Sequence, residues 1–96
     1  MANKARLTLA MIADVSPEAV TSFRTYEREV LALLPRHGGR LERRLRSDDG
    51  LSEVHLVSFE SRDGYENYLT DPQRQGHRPL IDGKGVKQRL LEVTDV

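Results

Sequence analysis

Three segments of this sequence carry apolar residues at both odd and even positions, and that doubling restricts the folds open to the chain. In the first, about Arg6 to Ala13, Leu7, Leu9 and Met11 fall on one side and Ala10 and Ile12 on the other. In the second, about Ser52 to Glu60, Val54 and Leu56 oppose Val57 and Phe59. In the third, about Val86 to Thr94, Val86 and Leu90 oppose Leu91 and Val93. A strand with one solvated face alternates, whereas near-continuous apolar runs belong to strands covered on both faces. The chain has only two helical segments to cover a sheet, enough for one face. The other face needs another molecule, and the cheapest is a second copy packed sheet against sheet about a two-fold axis.

The rest of the pattern fills in a β-α-β-β-α-β order. Ser16-Pro17-Glu18 is a helix-start signal, with Ser as cap and Pro at the first helical position. Val20, Phe23, Glu27, Val30, Leu31 and Leu34 follow at helical spacing, so the face with Phe23, Val30 and Leu34 packs inward. Pro35 and Gly38-Gly39 stop this helix. Arg40 to Arg46 forms a weakly alternating strand with Leu41 and Leu45 on one side. Ser47-Asp48-Asp49-Gly50 turns it into the next strand as a hairpin. Ser61-Arg62-Asp63-Gly64 opens the second helix through Tyr65, Tyr68 and Leu69, which bends or restarts at Asp71-Pro72. The arginine-rich second strand suits a charged edge, where the spatial order 4-1-3-2 puts it.

Composition narrows the function classes. A chain of 96 residues holds one domain, residues 1–96. With no cysteine it has no disulfide, no thiol chemistry and a lean toward the cytoplasm. Fifteen basic and fifteen acidic residues give zero net charge, against a nucleic-acid partner or an anionic membrane. The N-terminal apolar stretch, Leu7 to Ala13, is too short to span a bilayer, and a soluble protein is expected.

The stretch VHLVSFES, passing into a D-x-Y-x-x-Y-L-x-D-P-x-R-like run from Asp63 or Gly64 to Arg74, resembles the dimeric α+β barrel superfamily. The resemblance covers nearly the whole chain in pattern. It implies a ferredoxin-like α+β subunit: a four-stranded antiparallel sheet with two helices on one face, paired as a homodimer. The superfamily includes cofactor-independent antibiotic-biosynthesis monooxygenases and many uncharacterised small bacterial proteins, with ligands between sheet and helices. The sequence departs from the quinone-forming monooxygenases in lacking tryptophan, and neither Asn3 nor Asn67 is placed to match a catalytic asparagine. Fold alone does not choose among the superfamily's reactions.

Candidate residues follow from chemistry and position. His55 stands midway along an apolar strand, aimed at the helix-covered pocket or at the dimer core. Imidazole is the usual proton-transfer group near neutral pH, and a hydrogen-bonded structural histidine is the alternative. Tyr65 and Tyr68, three apart, and Tyr26 on the first helix could line an aromatic pocket, with Phe59 on the strand beside it. In the cluster Arg36, Arg40, Arg43, Arg44 and Arg46, alternation sends Arg40, Arg44 and Arg46 to one face and Arg43 to the other; most are expected to be solvated or paired with Glu42 and Glu53. Arg44 is the candidate partner for a substrate carboxylate or enolate. His37 and His77 read as exposed loop residues. The three histidines lie eighteen and twenty-two residues apart in different elements, so no metal site is expected, and no cofactor either. Strand one has no aromatic on which a base could stack and strand three has only Phe59, which again argues against RNA. The expectation is a homodimer binding a small, largely apolar organic molecule, with chemistry on an aromatic or polyketide-like substrate. The alternative is a non-catalytic binding or assembly protein of the same fold.

Overall fold

The computed structural model describes residues 6–96; Asn3 lies outside them. Four strands, β1 (Leu7–Val15), β2 (Gly39–Arg46), β3 (Ser52–Phe59) and β4 (Val86–Glu92), form one sheet in the order β2-β3-β1-β4. All pairings are antiparallel. Helices α1 (Val20–Leu31) and α2 (Arg62–Leu69), with the short α3 (Pro72–Gly76), complete a ferredoxin-like α+β fold. The spatial order agrees with the sequence reading.

Local chemistry explains the boundaries. Pro17–Ala19 forms a 3-10 turn before α1, and the Ser16 side chain makes no capping bond. Helix α1 ends at Leu31, and Leu34–His37 is a second 3-10 turn closed by Gly38 at φ +69°. Leu34 still reaches the core from that turn. Ser61 caps α2 by accepting from the Gly64 amide at 3.1 Å. Asp71 restarts the chain as α3, accepting from the Gln73 amide at 2.8 Å, with Pro72 at the first helical position.

The helix-covered face carries Leu7, Leu9, Met11, Ala13 and Val15 of β1 and Glu53, His55, Val57 and Phe59 of β3. Two buried clusters lie under the helices. One joins Ala13, Val15 and Ala19 to Phe23, Tyr26, Val30 and Ile81. The other joins Leu7, Leu9 and Phe59 to Leu33, Leu34 and Tyr68. Full burial of a side chain the size of Phe23 or Phe59 is worth about 2–3 kcal/mol, so these two clusters supply the main driving force.

The opposite face also carries an apolar stripe. Ala10 pairs Leu56 and Leu91, and Ile12 pairs Val54, which pairs Leu45. Leu45 and Leu91 are 41% and 38% exposed. The doubly apolar strands thus place their second set of side chains on a face that none of the described helices covers.

Strand β2 departs from simple alternation. Its register with β3 shifts between Leu41 and Arg43, leaving Glu42 as the extra residue of a bulge. One extra residue reverses the faces of everything after it. Leu41, opposite Val57, therefore faces the helices, whereas Leu45, opposite Val54, faces away. Arg40 and Arg43 share the open face, opposite Ser58 and Leu56, and Arg44 and Arg46 turn to the helix side, opposite His55 and Glu53. The expected groupings of Leu41 with Leu45, and of Arg40 with Arg44 and Arg46, are both corrected by this bulge.

Gly64 sits where its helix touches the turn before β2: a Cβ there would collide with the His37 carbonyl oxygen. Helix propensity alone favours Ala over Gly by about 1 kcal/mol. Overpacking opposes it, so Gly64→Ala is expected to lower the unfolding free energy by about 1–3 kcal/mol in urea titrations. Gly76→Ala, with nothing within 4 Å of the added carbon, is the control expected to be neutral or stabilising.

Candidate functional site

Between the helices and the sheet lies a cavity of about 80 Å³. The sheet contributes Leu9, Met11, His55, Val57 and Phe59 to its wall; α1 contributes Tyr26, Glu27, Val30 and Leu31. Tyr65, Tyr68 and Leu69 of α2 and Arg74 of α3 close the far side, and the exposed Gln88 and Leu90 of β4 form the rim. The four aromatic residues expected to form a pocket, Tyr26, Phe59, Tyr65 and Tyr68, meet here. Phe59 lies edge-on to Tyr65, with centroids 5.4 Å apart, and 5.6 Å from Tyr68. The Tyr68 hydroxyl donates to the Val30 carbonyl at 3.1 Å, and burial pushes its pKa up to about 12. Tyr26 is buried with its hydroxyl unpartnered.

His55 faces this cavity rather than the open face of the sheet. It is 1% exposed, and the groups around it are charged. Its Nε2 lies 2.7 Å from Oε1 of Glu53, two residues earlier on the same strand face. Glu53 also accepts from Arg44 Nε at 2.8 Å, from Arg44 Nη2 at 3.3 Å and from Arg46 Nε at 2.8 Å. Burial raises the Glu53 pKa, but the bonds from Arg44, His55 and Arg46 outweigh it and hold the carboxyl at about 2. An ionised carboxylate only accepts, so Nε2 must carry a proton. Burial lowers the His55 pKa and keeps the ring neutral. Nδ1 is then a free lone pair on the side facing Glu27, whose Oε1 is 3.8 Å away.

Glu27 is 3% exposed and rides on the inward face of α1 between Phe23 and Val30. Desolvation pushes its pKa up to about 7 against the pull of Arg44. A proton acceptor in its neutral form beside an acid poised near neutrality is the arrangement general acid–base chemistry uses. The spacing that puts Phe23 and Val30 inward already marks Glu27, an acid on an apolar helix stripe. Arg74 was likewise missed, because an arginine after Asp71-Pro72 reads as surface.

The remaining candidates are placed elsewhere. Arg44 is engaged by Glu53 and does not line the cavity. His37 is not an exposed loop residue: its Nε2 lies 2.7 Å from Asp71 Oδ2, with Arg36 at 3.0 Å on the same oxygen. These bonds pin the turn before β2 to the start of α3. His77 is half-buried, 4.0 Å from Glu29. Among the described residues no cluster of three metal-ligating side chains occurs.

The raised Glu27 pKa has a consequence for stability. The native state keeps a proton that the unfolded chain releases from about pH 4.5 upward, so stability falls as pH rises from 4.5 to about 7 and then levels. At pH 8 the cost is about 3 kcal/mol from a shift of this size. Glu27→Gln is therefore expected to be more stable than the parent above pH 7 and to converge with it near pH 4.5, by denaturant titration across that range.

No protein-family model and no curated protein matches the chain. Solved structures do. Rv0793 from Mycobacterium tuberculosis superposes with a TM-score of 0.74 at 17% identity, covering 96% of this chain and 98% of that one. SnoaB, a cofactor-independent oxygenase from Streptomyces nogalater, gives 0.73 at 18% identity, with 95% of each chain covered. A Bacteroides thetaiotaomicron protein provisionally assigned as an antibiotic-biosynthesis monooxygenase gives 0.81 at 14% identity, over 95% of this chain and 90% of that one. At these identities the likeness is one of fold, and it agrees with the strand order and helix placement described above. The chain has the same ferredoxin-like α+β fold as these antibiotic-biosynthesis monooxygenase-like structures.

Proposed function

We propose that this protein is a homodimer that binds a small, largely apolar organic molecule in the cavity of each subunit and moves a proton on it without a cofactor. The carrying observation is His55: an imidazole in the cavity wall, oriented by an ionised Glu53 at one nitrogen, with its other nitrogen on the side of Glu27. Here the oriented ring leaves its basic nitrogen unoccupied, which is the geometry of a base supported by a third group. Proton removal from a phenol or from carbon next to a carbonyl is the step shared by isomerisation, cyclisation and oxygenation of aromatic or polyketide-like substrates. That SnoaB, with the same fold, is a cofactor-independent oxygenase lends support to this class. In this conformation the cavity suits a small substrate, being below the roughly 300 Å³ of ordinary ligand pockets.

The homodimer is supported by the open sheet face, whose apolar centre of Ala10, Ile12, Val54 and Leu56 is bordered by Arg43, Lys87 and Arg89. An apolar centre with a polar rim is the usual anatomy of an interface.

Solvent-deuterium exchange into a panel of phenols and 1,3-dicarbonyl compounds, followed by NMR, tests the chemistry. His55→Ala is expected to slow exchange by about 10²–10⁴ while the protein remains dimeric in native mass spectrometry. Exchange at the parent rate in the variant, or loss of the dimer or the fold with His55, would assign the residue a structural role instead. Ile12→Lys is expected to give a monomer, since it places a charge in the centre of the open face.

A further inference from the structure

We infer that the ligand of this cavity is a small organic monocarboxylate, its anionic oxygens held by Arg74 with the Tyr26 hydroxyl as the neutral donor. This deepens the proposed function and rests on its reading of the cavity as a ligand site.

Arg74 differs from the other arginines near the cavity. Arg44 and Arg46 are both paired with Glu53. Arg74 makes no salt bridge among the described residues, and its Nε is buried without a hydrogen-bond partner. Its guanidinium carbon sits 4.7 Å from the centre of the Tyr68 ring. Stacking of that kind fixes the plane of the fork; the Tyr68 oxygen lies near one part of its edge, and the buried Nε is left without an acceptor. The Tyr26 hydroxyl, on a residue 1% exposed, lines the same cavity and is the other buried polar side-chain atom without a hydrogen bond among the described residues; Arg78, the charged group beside it, can only donate, so the O–H still lacks an acceptor. Two unpartnered donors on one small apolar cavity are a costly arrangement unless something accepts from them.

The charge count points to an anion. Around His55 one ionised carboxylate, Glu53, faces two arginines, and Arg74 adds a third positive charge. Glu27 is the remaining acid, and burial keeps it largely protonated below about pH 7. A neutral ligand leaves Arg74 without a counter-charge; a carboxylate supplies one with the bidentate geometry a guanidinium prefers. Arg74 belongs to α3, whose start is held by Asp71 through His37 and Arg36, so its backbone is anchored before any ligand arrives. Because Arg74 already acts electrostatically on Glu27, a bound anion must raise the Glu27 proton affinity, and binding takes up a proton as pH approaches 7 from below.

Calorimetric titration at constant ionic strength with butyrate and benzoate, against butyramide and benzamide, tests the assignment. Each acid is expected to bind about tenfold or more tightly than its amide, the gain a charge-assisted pair supplies over a neutral one. Affinity for the acids should fall as pH rises through about 7, and Glu27→Gln should flatten that dependence. Arg74→Gln should abolish the preference for acid over amide, and Arg74→Lys should keep part of it. Equal affinity for acid and amide, no binding of either acid, or an undiminished preference in Arg74→Gln would overturn the inference. Failure here leaves His55-dependent deuterium exchange into neutral substrates untouched, and loss of that exchange leaves carboxylate binding standing, so the two readings fail separately.

Discussion

A carboxylate buried beneath two helices must be compensated, and the compensation of Glu53 organises much of this subunit. At 2% exposure it has almost no water to replace the hydration it loses. Its bonds instead come from Arg44 and Arg46 on β2 and from His55 on its own strand. For the two arginines to reach it, their half of β2 must turn its odd side over. The bulge at Glu42 does this, and Ser58 donates to the displaced Glu42 carboxylate at 2.6 Å. The edge strand is thus both charged and irregular, two features that discourage pairing with a stray strand. The bond Glu53 accepts from His55 also fixes the tautomer of that ring. Structural need and chemical orientation are met by one set of contacts.

The sheet is wider than its helices. Helix α1 and the α2–α3 segment cover β1 and β3 well, but on β4 the helix-side residues Gln88 and Leu90 remain exposed. The cavity opens along that flank. Its inner end is polar and its wall is aromatic and aliphatic, so a ligand would enter past Leu90 and meet charge only at depth. Desolvation inside strengthens every electrostatic contact made there, which is why a few groups suffice.

Much of the fold was legible because it follows from periodicity. Short runs apolar on both sides mark three strands and weak alternation the fourth, the period-3.6 stripe marks α1, and Asp71-Pro72 marks the restart as α3. Strand order came from charge on one strand and apolar doubling on the others. What escaped were features set by single residues in three dimensions. No local signal marks Glu42 as an extra residue, so the faces of Leu45, Arg44 and Arg46 were read one step out of phase. His37 looked like an exposed loop histidine because its partner, Asp71, lies thirty-four residues away. In the site, His55 and the aromatic set were visible as types at positions. The partners that give His55 a chemical character were not, since Glu53 reads equally well as a solvated strand residue. Glu27 was missed too, although its place between Phe23 and Val30 carried a signal in the sequence.

The two buried acids show how position alone sets opposite roles. Glu53 and Glu27 face the same imidazole, one at each nitrogen, and both are nearly without exposed surface, although Glu27 lies deeper in the protein. Glu53 receives direct bonds from two guanidinium groups and stays ionised far below its ordinary range. Glu27 feels Arg44 and Arg74 only through space, and desolvation wins. The ring between them therefore has one side committed to an anion and one side facing an acid that titrates near neutrality. Exchanging the two environments would place the permanent anion on the cavity side, where it would repel an anionic ligand and occupy Arg74. The arrangement found keeps the permanent negative charge against the edge strand and leaves the cavity positive. In this subunit the polarity of the site is a consequence of which acid the β2 bulge lets the arginines reach.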